Sequence, residues 1–209
     1  LGVSNEFRRR IGVFGGTFDP PHIGHTSAAL AAMRGLELDS VLMVVANDPW
    51  QKTGQNKDLS KIDTSAVSEP DDRFEMLKRA LDDHDDLTAD NMEILRGGRT
   101  YTIDTVSELN SGFPESEFFL LIGADVAKDF GSWREPHEIC KRVNVVVLTR
   151  SGIERSQIDE AWGFSFMDIP VIDVSAKEIR LKVLNGESLE GMVSPLVEEY
   201  ILSAGLYRD

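Results

Sequence analysis

Four short apolar runs, Ile11 to Phe14, Val41 to Val45, Phe118 to Ile122 and Val143 to Leu148, punctuate the chain, and none alternates strictly with polar residues. A strand with one wet face alternates with a period of two, whereas an unbroken run of β-branched and aromatic residues suits a strand covered on both faces. Between the runs lie amphipathic stretches, Thr26 to Met33, Asp71 to Leu81 and Tyr101 to Leu109, which read as helices with acidic first turns. Alternating strands and helices predict a parallel α/β sheet with right-handed crossovers. Such a sheet holds its ligands beyond the carboxyl ends of its strands.

A chain of 209 residues with 41% hydrophobic content supports one substantial core, so one domain over 1–209 is expected. Residues 1–10, with Arg8, Arg9 and Arg10, read as a solvated lead-in before the first strand. The polar segment Ala46 to Pro70 is too long for an ordinary connector and is expected to be a mobile loop over the site. Ser151 to Pro170 reads as irregular; a short apolar run, Ile169 to Val174, follows it. Two helices are then expected within the C-terminal portion 171–209, Ala176 to Leu184 ending at Asn185-Gly186, and Pro195 to Ala204 ending at Gly205.

The formal net charge of −14 argues against a broad nucleic-acid-binding surface, but leaves room for a small anion in a locally positive pocket. Cys140 is the single cysteine, which excludes an intramolecular disulfide and a cysteine metal cluster, and fits a reducing cytoplasm. No apolar run approaches bilayer length, and the first ten residues lack a signal-peptide core, so a soluble, unexported protein without membrane contact is expected. Nothing in the sequence opposes a homo-oligomer.

Directly after the first apolar run stands Gly15 to His25, GGTFDPPHIGH. Adjacent glycines let a backbone approach a ligand without Cβ clash, and a helix start offers N–H groups and a positive dipole end to an anion. Placed three apart at such a start, His22 and His25 can face one ligand. Neither the P-loop pattern nor the G-x-G-x-x-G spacing is present, so the two commonest phosphate-loop readings fail.

The sequence T-F-D-P-P-H-I-G-H instead resembles the signature of the nucleotidylyltransferase superfamily, whose HIGH element is shared with class I aminoacyl-tRNA synthetases. Asn47 to Lys52, Gly97 to Thr102, Ile122 to Asp125, Ser132-Trp133 and Val174 to Arg180 occur in the order of the bacterial nicotinate mononucleotide adenylyltransferases, so the resemblance spans nearly the whole chain. It implies a Rossmann-like, doubly wound fold and transfer of AMP from ATP to nicotinate mononucleotide in NAD biosynthesis. By that resemblance His22, His25 and Arg180 are catalytic, and Gly15, Gly16, Thr17, Phe18, Gly24, Gly123, Asp125, Ser175, Ala176 and Lys177 bind ATP. Lys52, Thr102, Trp133 and Arg134 are implied on the mononucleotide side, with Trp133 stacking and the N–H groups of Thr102 and Arg134 meeting the carboxylate. Magnesium is implied on the ATP and pyrophosphate oxygens, without a protein metal site.

Weaker readings stand beside these. An isolated H-x-x-H is a poor signal, and zinc would need further clustered ligands, which His84 and His137 do not supply. Asp19 before Pro20 reads as a turn former, Cys140 as a small buried hydrophobe, and Arg73 has no assigned role. Lys177 stands where the family motif usually has Ser or Thr, so a hydroxyl contact to the triphosphate is missing there. The alternatives are another adenylyltransferase of the superfamily, such as one acting on phosphopantetheine, and a catalytically lapsed nucleotide-binding protein.

Overall fold

The computed structural model describes residues 8–49, 67–149 and 157–208. Strands β1 (Arg9–Gly16), β2 (Ser40–Val45), β3 (Leu87–Asp90), β4 (Ser116–Gly123), β5 (Asn144–Thr149) and β6 (Ser165–Asp168) form one sheet, ordered β3-β2-β1-β4-β5-β6. Every neighbouring pair is parallel, and Ile11 lies beside Ser40 on one flank and Phe118 on the other. Strand order reverses between β1 and β4, so the crevice outside their carboxyl ends is the place where this topology accepts a ligand. The helices are α1 (Ile23–Gly35), α2 (Pro70–Ala80), α3 (Met92–Arg96), α4 (Thr102–Gly112), α5 (Ala124–Ala127), α6 (Pro136–Arg142), α7 (Ala176–Leu184) and α8 (Pro195–Ala204).

The apolar runs are buried on both faces, which explains why they do not alternate. On β4, Phe118, Leu120 and Ile122 pack with Ile103, Val106 and Leu109 of α4, whereas Phe119 and Leu121 share the opposite cluster with Ala28, Ala29 and Ala32 of α1. The small alanine face lets α1 lie close to the sheet and fixes where its N-terminus points. In a third cluster, Ile179 and Val183 of α7 and Val197 and Ile201 of α8 close on Met76 of α2. That contact carries the C-terminal motif back to the loop after β1. Among the described residues no helix is long and apolar enough to cross a membrane.

The structure differs from the sequence reading in several elements. β3 and β6 were not expected, and β6 lies inside the stretch read as irregular; β3 buries only Leu87 and β6 buries none of its four residues, so neither leaves an apolar run. The first turn of α1 carries no acid, unlike α2 with Asp71 and Asp72 and α4 with Asp104. A carboxylate there would repel an anion. Nor is the basic lead-in wholly solvated: β1 begins at Arg9, and Arg10 donates to Glu117 (3.1 Å) and to the Leu36 carbonyl (3.0 Å). Cys140 is half-buried against the first cluster, and desolvation pushes its thiol above the usual range.

Candidate active site

The loop after β1 is built around Phe18, whose φ of 51° is a left-handed backbone that a bulky residue adopts at a cost of about 1–3 kcal/mol. Burial offsets this: Phe18 is 2% exposed and meets Phe14 and His25 edge to face, with centroids 6.1 and 5.1 Å away. Gly16 is required by the same ring, since a Cβ there would sit 2.7 Å from it. Gly15 faces open space, so of the two glycines it alone leaves its backbone open to a close ligand.

His22 is the N-cap of α1 in extended conformation, and its backbone N–H donates to Nδ1 of His25 at 3.2 Å. That bond makes Nδ1 the lone-pair nitrogen, so a neutral His25 ring carries its proton on Nε2 and can donate from there. The two imidazoles lie nearly stacked, 3.8 Å between centroids and tilted by 30°. Gly24 permits this, because a Cβ would lie 2.9 Å from Nδ1 of His22. Its missing side chain therefore serves the His22 ring. Two of the first helical N–H groups are engaged, Ile23 with the Met192 carbonyl (3.0 Å) and His25 with the His22 carbonyl (2.8 Å).

Asp19, read as a turn former, does more. It is 6% exposed, and its carboxylate accepts from Tyr207 Oη (2.6 Å) and the Ser68 N–H (3.2 Å). Its carbonyl accepts from Arg180 Nη1 at 2.7 Å, so residues 161 positions apart meet at one loop. Arg180 is the member of the late motif that reaches the first loop. Ser175 caps α7 by accepting from the Glu178 N–H at 3.2 Å, while Ala176 and exposed Lys177 occupy the first turn behind it. Gly123 ends β4 beside β1, and Asp125 follows as an exposed carboxylate 3.8 Å from Lys128 Nζ.

Thr102, Trp133 and Arg134, expected on the acceptor side, gather around the start of α4. Thr102 is its first helical residue, so its N–H is one that a helix leaves without an internal acceptor. The Arg134 guanidinium lies 5.0 Å above the Tyr101 ring and 3.8 Å from Asp104, bringing the Trp133-Arg134 turn to this helix end. Trp133 is half-buried against Phe130, 5.0 Å between centroids. Lys52 and residues 50–66 of the expected loop lie outside the described residues.

Several residues that organise the site were missed. Arg73 is 1% exposed and donates from Nε to the Ser68 carbonyl (2.9 Å), from Nη1 to those of Thr17 (3.0 Å) and Ala46 (2.6 Å), and from Nη2 to that of Asn47 (2.9 Å). Burial lowers its pKa, with Asp19 acting in the opposite sense. The signal was present: Arg73 shares a helical stripe with Met76, Leu77 and Ala80. Asn47 in turn donates its N–H to Thr100 Oγ1 (3.1 Å) and its side-chain amide to the Gly98 carbonyl (2.8 Å). Beneath Thr100 lies Glu93, 6% exposed, which accepts from Thr105 Oγ1 at 2.5 Å; burial raises its pKa against the effect of both threonines.

The profile of the cytidylyltransferase-like family matches residues 13–182. A probable nicotinate-nucleotide adenylyltransferase of Shouchella clausii is 35% identical over 202 residues, covering 96% of this chain and 98% of that protein. Another of the same name from Rubrobacter xylanophilus is 37% identical over 207 residues, covering 95% and 92%. Among solved structures, the nicotinic acid mononucleotide adenylyltransferase of Plasmodium falciparum complexed with NaAD superposes with a TM-score of 0.71 at 18% identity, covering 96% of this chain and 98% of that one. That likeness shows the fold.

Proposed function

Since the chain belongs to the cytidylyltransferase-like family and, within it, to the nicotinate-nucleotide adenylyltransferases, we propose that it transfers AMP from ATP to nicotinate mononucleotide, yielding nicotinate adenine dinucleotide and pyrophosphate. One observation carries the reading: the paired imidazoles at the start of α1 and the guanidinium of Arg180 converge on a single loop at the switch point of the sheet. A phosphate oxygen of the mononucleotide attacks the α-phosphorus; the bond from that phosphorus to the bridging oxygen of the β-phosphate breaks, and pyrophosphate leaves. No covalent enzyme intermediate is needed, so the protein's work is positioning and charge stabilisation.

In this reading His25 Nε2–H donates to the α-phosphate as negative charge builds, and His22 supports it through the ring stack and its backbone N–H. Arg180 faces the β- and γ-phosphates, Gly15 to Phe18 and Gly24 border them, and Gly123 and Asp125 border the adenosine. Ser175 to Lys177 bring the positive end of α7, with the Lys177 ammonium in place of a hydroxyl. Lys52 meets the mononucleotide phosphate. Trp133 stacks on the pyridinium, and the N–H groups of Thr102 and Arg134 meet its carboxylate. An amide would set its own N–H against those donors, so the acid is preferred.

Among the described residues no group of three or more His, Cys, Asp or Glu side chains is arranged around a metal, and the donors gathered at the loop are imidazole and guanidinium. Magnesium held by phosphate oxygens and water would neutralise the departing pyrophosphate. The lone Cys140 fits a reducing cytoplasm. The test is dinucleotide formation with ATP, magnesium and each mononucleotide in parallel: product with nicotinate mononucleotide in clear excess over nicotinamide mononucleotide is expected, and equal rates would remove the acid preference.

A further inference from the structure

We propose that Arg73 is a positioning residue that sets the spacing between the loop serving the triphosphate and the loops serving the acceptor. The inference rests on the functional reading above and assigns no contact between Arg73 and either substrate. Four of its five N–H donors are spent on backbone carbonyls from three separate segments: Thr17 after β1, Ala46 and Asn47 after β2, and Ser68 before α2. Because these acceptors are backbone atoms, the guanidinium fixes where the chain itself runs. Its own base is rigid, since Met76 and Leu77 of the same helix are both 0% exposed in two different clusters.

The far end of this strut is tied down as well. Asn47 donates onward to Thr100 Oγ1 and the Gly98 carbonyl, Asp48 bridges to Arg99, and Thr100 is hydrogen-bonded to buried Glu93. One continuous polar chain thus runs from Thr17, two residues from Gly15, to Thr100, two residues before Thr102. An apolar side chain would leave these carbonyls without their donors, so the guanidinium, despite the desolvation cost of its burial, is what lets the three segments meet. A planar fork holding three segments at fixed separation is what an in-line transfer between two bound phosphates requires, since a misplacement of about 1 Å can cost on the order of a hundredfold in rate.

The test compares the wild-type chain with Arg73→Lys, which keeps the charge and loses the fork, and with Thr100→Val, which removes the hydroxyl that joins Asn47 to Glu93. For each, kcat and both KM values are measured, together with calorimetric Kd values for ATP and for nicotinate mononucleotide and a thermal midpoint. In folded Arg73→Lys, kcat should fall about 10- to 100-fold while each Kd stays within about threefold. Thr100→Val should raise the KM for the mononucleotide several-fold and leave that for ATP within about twofold. An unchanged kcat in Arg73→Lys, or a parallel loss of kcat and of both affinities, overturns the proposal. Should Arg73→Lys not fold, Thr100→Val decides, and an unchanged acceptor KM overturns it. An inactive wild-type chain overturns the function and this inference together; an active one with indifferent variants overturns this inference alone.

Discussion

Replacing Tyr207 by Phe removes one hydroxyl and leaves the ring in place. That hydroxyl donates at 2.6 Å to a carboxylate that is 6% exposed, and a hydrogen bond to a charged group contributes about 1.5–3 kcal/mol. The Asp19 carboxylate keeps the Ser68 N–H at 3.2 Å, so a value near the middle, about 2 kcal/mol, is expected. For a chain of this size, each kcal/mol moves the melting midpoint by about 2–4 °C, giving a drop of about 4–8 °C at pH 7. A pH dependence gives a second signature. Burial and the neighbouring Asp19 hold the Tyr207 hydroxyl well above its ordinary 10.0, so the neutral form is favoured in the fold. Its contribution is therefore fully present below pH 10 and is lost as the pH rises above that, where the unfolded chain ionises first. Denaturant titrations of both proteins from pH 7 upward read both effects. A deficit below about 0.5 kcal/mol at pH 7, the level of an ordinary surface substitution, or one that does not shrink above pH 10, would refute the reasoning.

Gly24→Ala should lower kcat, because the new Cβ falls 2.9 Å from Nδ1 of buried His22 and the ring must shift; melting and steady-state kinetics on one preparation read stability and rate separately, and an unchanged kcat would contradict it. His25→Ala should reduce kcat by about 10²- to 10³-fold with a smaller change in the KM for ATP, and equal activity would take His25 out of the chemistry. Glu93→Gln tests the buried carboxyl: its pKa is raised from 4.5 in the fold, so wild-type stability relative to the variant should be greatest below pH 4.5 and decline as pH rises through the folded value. Unfolding free energies from pH 4 to 7 measure that slope, and a flat difference would contradict it.

The central strands were legible because residues buried on two faces cannot alternate: β1, β2 and β4 contain the apolar runs that announced them, and β5 contains all of its run but Val143. The edge strands β3 and β6 were not legible, since each has four residues and buries at most one of them fully, too little to leave an apolar run. The loop Gly15 to His25 was recognised as a unit, but the purpose of its glycines was not: Gly16 and Gly24 accommodate the Phe18 and His22 rings, contacts that depend on how the loop folds back on itself. Helix α7 was found to the residue, whereas its arrival at Asp19 follows from packing of Ile179 and Val183 against Met76 of α2. Arg73 and Tyr207 act across sequence separations of 56 and 188 residues, through a backbone carbonyl and a carboxylate that no local pattern marks. Spacing along a chain reports periodicity; it does not report which distant carbonyl a buried donor will meet.

Adenylyl transfer is tested most directly by where the α-phosphate of ATP goes. With ATP labelled at the α-phosphorus, magnesium and nicotinate mononucleotide, the label should appear in nicotinate adenine dinucleotide in equal amount to unlabelled pyrophosphate, and be lost with the mononucleotide omitted. Label recovered only in ATP, or released as AMP whether or not the mononucleotide is present, would contradict adenylyl transfer by this chain.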